Sequence, residues 1–599
     1  MKKFEDLLDR ILNNKKLGIS LRASHITIPV DQYLMLTILM SIFSCVLIAM
    51  IGALLYVMEI EISFIIPTWS IILLGCILVP IGIFACFYYY PILEAHGRKS
   101  KIDLDLPFAI TYMQALSSTM TLYEIIRNVY DAADLYREVS KECGLIVRDV
   151  ELFGEDLLTA MENTIKITPS DNFRELLNDL CLIYRSGGNL SNFFNAKSES
   201  YRELARQELE SLLQFLEMIA EIYVTAFVAG PIAIIIMLVA ENLSGQSTMG
   251  NILPLMYIFL PLGAITLIAI LYILLPPDNL DITKREIRDS EFGTDLLVPG
   301  KDEKPDAEFI KQINSRKKMI RLLDILHHPI KFFISDYAIG AIIGVILAAG
   351  LFISWVGGYF AVLFPEYTFE VLICAMIVAG VAPLMLAYEI RRKYVDTVEK
   401  QLPEFLREIA DMRDVGMTLQ GAIVTISENK TGVLSSEINI VSKELTYGAQ
   451  LSGALVRMEE RIGLVSVKRA ISLLVKASEV TDYIREILTI AIADLEHYVK
   501  MKSKRLNVSF VYLAVIYLSF GIYLYSAYQM NVAFISSFSA YDITFDISSN
   551  KADMFHIGMI LAFFSGIMAG QMSSNSILCG LKHSMIMLIA TVVTFIYFI

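Results

Sequence analysis

The amino-acid sequence predicts an all-α, polytopic membrane protein with about nine spans that carries two homologous helical bundles in water. Three observations predict this. Of the 599 residues, 55% are hydrophobic and only 19% charged, and the excess is Phe, Ile, Leu and Met in uninterrupted runs. Each run has the roughly 20 residues that a helix needs to cross a bilayer core of about 30 Å. The polar remainder is gathered into long stretches with Leu, Ile and Met at three- and four-residue spacing, the period of amphipathic helices. Two of these stretches resemble each other. Such a composition excludes a disordered chain, a basic nucleic-acid binder and a simple soluble enzyme.

In chain order, residues 1–33 form a cytoplasmic N-terminus in which Lys2 to Lys16 reads as an amphipathic helix, with Phe4, Leu7, Leu8, Ile11 and Leu12 on one face. The apolar runs lie near 34–57, 64–88, 219–240, 251–275, 332–356, 371–388, 508–529, 554–571 and 584–599. The first is too long and starts too late for a signal peptide. The domains are therefore 1–33, a membrane pair at 34–90, a first polar domain at 91–218, a pair at 219–275, a linker at 276–331, a pair at 332–388, a second polar domain at 389–507 and three spans at 508–599.

Orientation follows from Lys and Arg beside the spans. With the N-terminus inside, the outer loops hold Glu59, Glu61, Glu241, Glu366, Glu370, Asp542, Asp546, Asp553 and a single Lys551. The inner flanks hold Arg98, Lys99, Lys101, Arg391, Arg392, Lys393, Lys500, Lys502, Lys504 and Arg505. The expected topology is N-inside and C-outside in the cytoplasmic membrane.

The two polar domains match at an offset of 294 to 297 residues. Leu106-Pro107 matches Leu402-Pro403, Met120-Thr121-Leu122 matches Met417-Thr418-Leu419, and Gly154 matches Gly448. Several matches in one register point to a duplication. Both copies begin and end inside, so the repeat is parallel. Each ends in a charged helix, 199–220 or 488–506, that runs directly into a span. Pro107 and Pro403 fit a first helical turn, and Gly144, Gly187-Gly188 and Gly448 are expected helix ends. The linker 276–331 is rich in Pro, Gly and charge, and its His327-His328 pair cannot share a helix face to hold a metal.

No Walker A, GxGxxG, HExxH, GxSxG or CxxC pattern occurs, so no catalytic, cofactor or metal site is expected. The seven cysteines lie mostly in apolar runs as small hydrophobes. Glu221, Asp336 and Glu370 are read as interfacial, Glu221 ending the helix before it, and not as an ion path through the bilayer. Gly340/Gly344 and Gly566/Gly570 have the spacing that lets helices approach closely, and Pro231 after Gly230 is expected to kink the third span.

On these residues the chain resembles the type II secretion F family, the inner-membrane platform proteins of type II secretion and type IV pili. The Leu-Pro openings, Gly416-Met417-Thr418-Leu419, Ser186-Gly187-Gly188-Asn189-Leu190 and the C-terminal Gly566, Gly570, Gly580 and His583 carry the resemblance. Two F-type domains with about nine spans are similar to the archaeal branch, which includes archaellum (FlaJ/ArlJ) and archaeal pilus platforms. The copies have diverged: Thr119 stands where the second has Gly416, and Lys476-Ala477-Ser478-Glu479-Val480 where the first has its Gly pair.

The resemblance implies a non-catalytic platform. A hexameric secretion ATPase (GspE/FlaI-like) would dock on the cytoplasmic domains, pilin or archaellin-like subunits would be lifted from the lipid bilayer into a filament, and the platform would form a homo-oligomer such as a dimer, with no nucleic acid bound. Arg127, Arg137 and Asp156 in the first domain and Arg407, Asp411 and Arg413 in the second are the candidate ATPase interface. A receptor or scaffold with cytoplasmic bundles is the first alternative and a secondary transporter the second. The transporter reading lacks a polar bilayer centre.

The charge divides unevenly. Residues 91–218 hold 13 basic and 21 acidic residues, and 389–507 hold 18 and 17. The homologous domains thus present opposite electrostatics to whatever docks on them.

Overall fold

The computed structural model describes residues 15–26, 28–57, 68–244, 252–275, 315–316, 333, 337–359, 368–429, 432–480, 484–534 and 547–599. The expected helix at Lys2–Lys16 lies outside them up to residue 14, and the His327-His328 pair, Asp336 and almost all of the linker also fall outside them. Among the described residues the chain is helical, without a strand. It divides into two compact units, Met1–Arg202 and Glu203–Ile599.

The first unit begins with α1 (Lys15–Ala23), α2 (Val30–Val57) and α3 (Thr68–Leu116). Leu17 and Leu21 of α1 pack on Tyr33 and Leu34 of α2, with Tyr88 of α3 against them. Beyond its apolar half, α3 enters a bundle of α4 (Leu122–Asp131), α5 (Ala133–Glu151), α6 (Leu157–Ile167), α7 (Asp171–Ser186) and the start of α8 (Leu190–Tyr223). The core is Leu106, Ile110, Ile126, Val139, Ile146, Met161, Phe173 and Leu177, all buried.

The second unit contains the rest of α8, α9 (Gly230–Ser244), α10 (Ile252–Leu274), α11 (Ile339–Val356) and α12 (Thr368–Asp414). A bundle follows, of α13 (Leu419–Asn429), α14 (Val433–Thr446), α15 (Leu451–Ile462) and α16 (Val465–Val480) packed on α12. Then come α17 (Ile484–Tyr528), α18 (Ile547–Ser574) and α19 (Ile577–Val593). Helices α3 to α8 and α12 to α17 form the same series, so the duplication spans six helices in each copy.

Among the described residues eight helices are long and apolar enough to cross a membrane: Val30–Met50, Leu190–Met237, Met256–Leu274, Ile339–Val356, Phe369–Asp414, Arg485–Val532, Lys551–Ser574 and Ile577–Phe598. The remaining expected span, 64–88, coincides from residue 68 with the start of α3. In the second unit a continuous apolar core joins α8, α10, α17, α18 and α19 through Leu216, Tyr223, Leu260, Leu271, Ile516, Phe520, Phe555 and Leu588.

Three local expectations need correction. Pro107 and Pro403 lie deep inside the long helices α3 and α12 and not in a first turn, because each helix continues from its apolar half into the bundle without a break. Gly144 lies within α5, where the Tyr130 ring presses on it so closely that a Cβ would come within 2.7 Å. It is there for packing and not as a stop. Glu221 does not end its helix. The chain passes through a π-helical turn at Val224–Ala229, in which the Gly230 N–H reaches back to the Thr225 carbonyl, and continues as α9 with Pro231 in its first turn. The π-turn absorbs the missing Pro231 N–H at the site of the expected kink.

The expected ends at Gly187 and Gly448 are borne out. Gly187 caps α7 with φ +67°, and Gly448 follows α14 with φ +91°, values that a Cβ would oppose.

The Met-Thr-Leu matches are helix starts. Thr121 caps α4, taking the Glu124 N–H at 3.4 Å while the Glu124 carboxylate takes the Thr121 N–H at 2.9 Å. Thr418 takes the Gly421 N–H at 3.1 Å above α13. Alanine at either Thr is expected to cost about 1 kcal/mol, read as a lower unfolding midpoint of the purified chain. An unchanged midpoint in both variants would reject the capping role.

Candidate functional site

The site is built from the paired long helices that join each bundle to the membrane. Pro107 removes the N–H that the carbonyl of residue 103 would otherwise receive, and Pro403 does the same at residue 399. The helix is thus weakened at Asp103 and at Glu399, and in both copies a side-chain brace stands at that turn. Ser170, the N-cap of α7, donates to Asp103 Oδ1 at 2.5 Å and takes the Phe173 N–H at 3.0 Å. Tyr201 of α8 donates to the Asn172 carbonyl at 2.9 Å. In the second copy Ser466 donates to Glu399 Oε1 at 3.2 Å, Tyr498 donates to the same oxygen at 3.4 Å, and Lys502 reaches Glu399 Oε2 at 2.7 Å.

Asp103 and Glu399, Ser170 and Ser466, and Tyr201 and Tyr498 all correspond within the repeat offset. Burial raises the Asp103 carboxyl above its ordinary value, against the lowering pull of Ser170 and Lys99. Sequence reasoning missed this brace. Its signal was an acidic residue three positions before each Leu-Pro.

At the opposite end of each bundle lie the turns. The Tyr123 hydroxyl donates to Glu151 at 2.7 Å, and Gln114 donates to Asn195 at 2.9 Å, so the α3–α4, α5–α6 and α7–α8 turns share one end. In the second copy Arg413 donates to the Met417 carbonyl at 3.2 Å and Arg485 pairs with Asp414 at 3.1 Å. From the last apolar residues, Tyr90 and Tyr388, to these ends each helix runs about 39 Å at 1.5 Å per residue. Gly416 turns there at φ +89°. Thr119 makes the same three-residue back-bond, to the Leu116 carbonyl, as Gly416 makes to Arg413, but without a positive φ, so the first copy needs no glycine there.

The two charged helices that enter the membrane meet each other. Glu210 of α8 and Lys504 of α17 form an ion pair at 2.6 Å, and they are 294 residues apart. In the register that pairs Tyr201 with Tyr498, Glu210 corresponds to Asn507, so Lys504 lies one helical turn from that position. Further along, Tyr512 donates to the Leu213 carbonyl at 2.9 Å. Ile232, Ile235 and Ile236 then face Tyr523, Ser526, Ala527 and Met530 across one small cavity. The two helices run parallel and stay in contact over several turns.

The C-terminal motif residues build a packing seam. A Cβ on Gly566 would stand 2.1 Å from the Ser584 nitrogen, one on Gly570 2.0 Å from the Gly580 nitrogen, and one on Gly580 2.6 Å from Ile567 Cα. His583 Nδ1 meets the Tyr517 hydroxyl at 2.9 Å, and Lys582 pairs with Glu389 at 3.2 Å. Gly340 and Gly344 press likewise on Pro383, Leu384 and Gly380. Glu370 pairs with His556 at 3.4 Å in the first turn of α12.

Within the first copy the three candidate interface residues do not share one end of the bundle. Arg127 pairs with Glu151 at 3.3 Å, and Asp156 caps α6 by taking the Leu158 N–H at 3.2 Å. Both sit at the membrane-remote end, whereas Arg137 lies at the other end of α5 at a break with φ +36°. In the second copy Arg407 is bound to Glu496, Arg413 closes its own turn, and Asp411 is exposed beside it. No group of three or more metal-ligating side chains occurs among the described residues.

Fold and site define an all-α membrane protein with two duplicated bundles, each continuing into a long stalk helix. The model of type II secretion system protein F matches residues 108–238 and 405–526, the bundle-and-stalk segment of each copy. The chain thus carries two copies of the domain that this family model describes. It is similar to an uncharacterized protein of Methanocaldococcus jannaschii, 24% identical over 524 residues, 85% of this chain and 82% of that one. It is also similar to flagella accessory protein J of the same organism, 26% identical over 158 residues, 26% of this chain and 28% of that one. No solved structure matches.

Proposed function

We propose that the chain is a non-catalytic platform of the cytoplasmic membrane, N-terminus inside and C-terminus outside, that couples a hexameric cytoplasmic secretion ATPase to the assembly of a type IV pilus-like filament or to related secretion. The domain copies and the likeness to flagella accessory protein J support a membrane platform of secretion, pilus or archaellum systems. One observation carries the coupling: α8 and α17 run from the bundles into apolar helix, parallel and in contact at Glu210 and Lys504. A displacement of either bundle therefore reaches the membrane through helix, with the Asp103 and Glu399 braces holding the weakened turns. The filament subunits, pilin or archaellin-like, would engage the membrane helices. A dimer of the chain would place two such stalk pairs in one platform.

Replacing Glu203-Leu204 with Gly-Gly breaks α8 above the Glu210 contact at roughly 1 kcal/mol of local helix per glycine. The expected result is a chain inserted at wild-type level in cells that assemble no filament, while an Ala-Ala replacement assembles normally. Filament at wild-type level in the Gly-Gly variant would reject the coupling.

A further inference from the structure

Two of the exposed apolar side chains stand at the same place in both copies. Phe153 precedes Gly154 (φ +67°) after α5, and Tyr447 precedes Gly448 (φ +91°) after α14, 294 residues apart. Phe153 is 66% exposed, beside Leu152, and Tyr447 is 90% exposed. Neither ring belongs to a core. In each case the left-handed glycine turns the chain immediately after the aromatic residue and leaves the ring outside the bundle. The Arg148 guanidinium lies 5.7 Å from the Phe153 ring. An open cleft of about 550 Å³ lies beside Tyr447, lined by Ile440, Lys443, Glu444, Gly448 and Ala449.

The surroundings differ. Glu151, Glu155 and Asp156 flank the first ring, and Lys443 and Glu444 the second. The copies have diverged in charge and in the neighbouring turn, yet both keep an exposed aromatic ring before a left-handed glycine. Each ring stands at the membrane-remote end of its bundle, about 39 Å of helix from the apolar stretch. That distance excludes a lipid surface as the occupant and leaves a protein in water. Equivalent rings on duplicated bundles suit a partner that offers one apolar pocket more than once, that is, an assembly of identical subunits. A desolvated aromatic ring is the commonest anchor of such contacts.

We infer that Phe153 and Tyr447 are paired anchors by which the chain docks an oligomer of identical cytoplasmic subunits, one ring to each apolar pocket. The acidic rim of the first ring and the mixed rim of the second set which face of the subunit each copy meets. This rests on the platform reading, in which the oligomer is the secretion ATPase.

The test measures binding of the purified hexameric secretion ATPase of the same cell to the full chain in lipid nanodiscs. Phe153→Ser and Tyr447→Ser are each expected to weaken binding about 10-fold, and the double variant about 100-fold or more. Phe153→Tyr and Tyr447→Phe should bind as wild type, and every variant should keep the wild-type unfolding midpoint because the rings pack on no core. A double Ser variant that binds as wild type overturns the anchors and leaves the platform reading standing. A wild-type chain that does not bind the ATPase overturns both. Loss of self-association in place of ATPase binding would assign the rings to a contact between copies and also overturn the inference.

Discussion

Leucine at Gly570 is expected to abolish the folded membrane domain. A single Cβ there would stand 2.0 Å from the Gly580 nitrogen, closer than any non-bonded pair tolerates, and the obstacle is backbone that cannot rotate away. Overpacking an ordinary core costs about 1–3 kcal/mol. Here α18 and α19 would have to separate along the whole Gly566–Gly570–Gly580 seam, so the cost exceeds about 3 kcal/mol. His583 and Lys582 would then lose Tyr517 and Glu389 together. The measurement is the amount of chain in the membrane fraction and its unfolding midpoint in detergent. Gly350→Ala serves as control, because a Cβ at Gly350 meets nothing within 4 Å, and it should behave as wild type. A Gly570→Leu chain with wild-type amount and midpoint would refute the seam.

Alanine at Arg98 is expected to destabilise the first unit by about 3–5 kcal/mol. The guanidinium is 4% exposed. It donates to Glu138 at 2.7 Å, to Glu142 at 2.6 Å and to the Ala23 carbonyl. His25, at φ +57°, stands 3.4 Å from Glu142. One arginine thus ties the α1 end to α3 and α5. Without it, the fully buried Glu142 carboxylate loses its closest cation, and the cost is that of an uncompensated buried charge. Arg98→Met combined with Glu142→Leu should recover most of the loss, because both charges are then gone. If Arg98→Ala unfolds at the wild-type midpoint, the tie contributes nothing.

The same group sets an acid limit. Burial raises the Glu138 carboxyl, but hydrogen bonds from Lys141 and Arg98 lower it further, so it lies below its ordinary 4.5. Its contribution is therefore fully present above about pH 4.5 and is lost as pH falls through the depressed folded value. Unfolding midpoints measured between pH 7 and 3 should fall in that window, and Glu138→Gln should flatten the fall.

Apolar run length and helical period were legible because they act within one helix. The spans, the all-α class and the duplication came from them. Thr121 and Thr418 were legible as matches, and their capping role needed only the adjacent turn. The brace at Asp103 and Glu399 was not legible, because Ser170 and Ser466 lie 67 residues further along the chain and serine there reads as any helix cap. The interface candidates were chosen for charge. Charge alone did not show that Asp156, Arg407 and Arg413 already serve local structure. Phe153 and Tyr447 carry no charge, so a reading of charge does not mark them.

By itself, the sequence determined that this chain is a duplicated helical protein crossing the membrane several times, because burying backbone in lipid leaves a helix as its only solution at these lengths. Only the tertiary structure decided that Pro107 and Pro403 sit inside unbroken helices, that Glu210 meets Lys504, and that Gly570 lies against Gly580. Each of these is a matter of distance between segments remote in the chain. Hydrophobic periodicity states which face of a helix is buried and leaves open which other helix buries it.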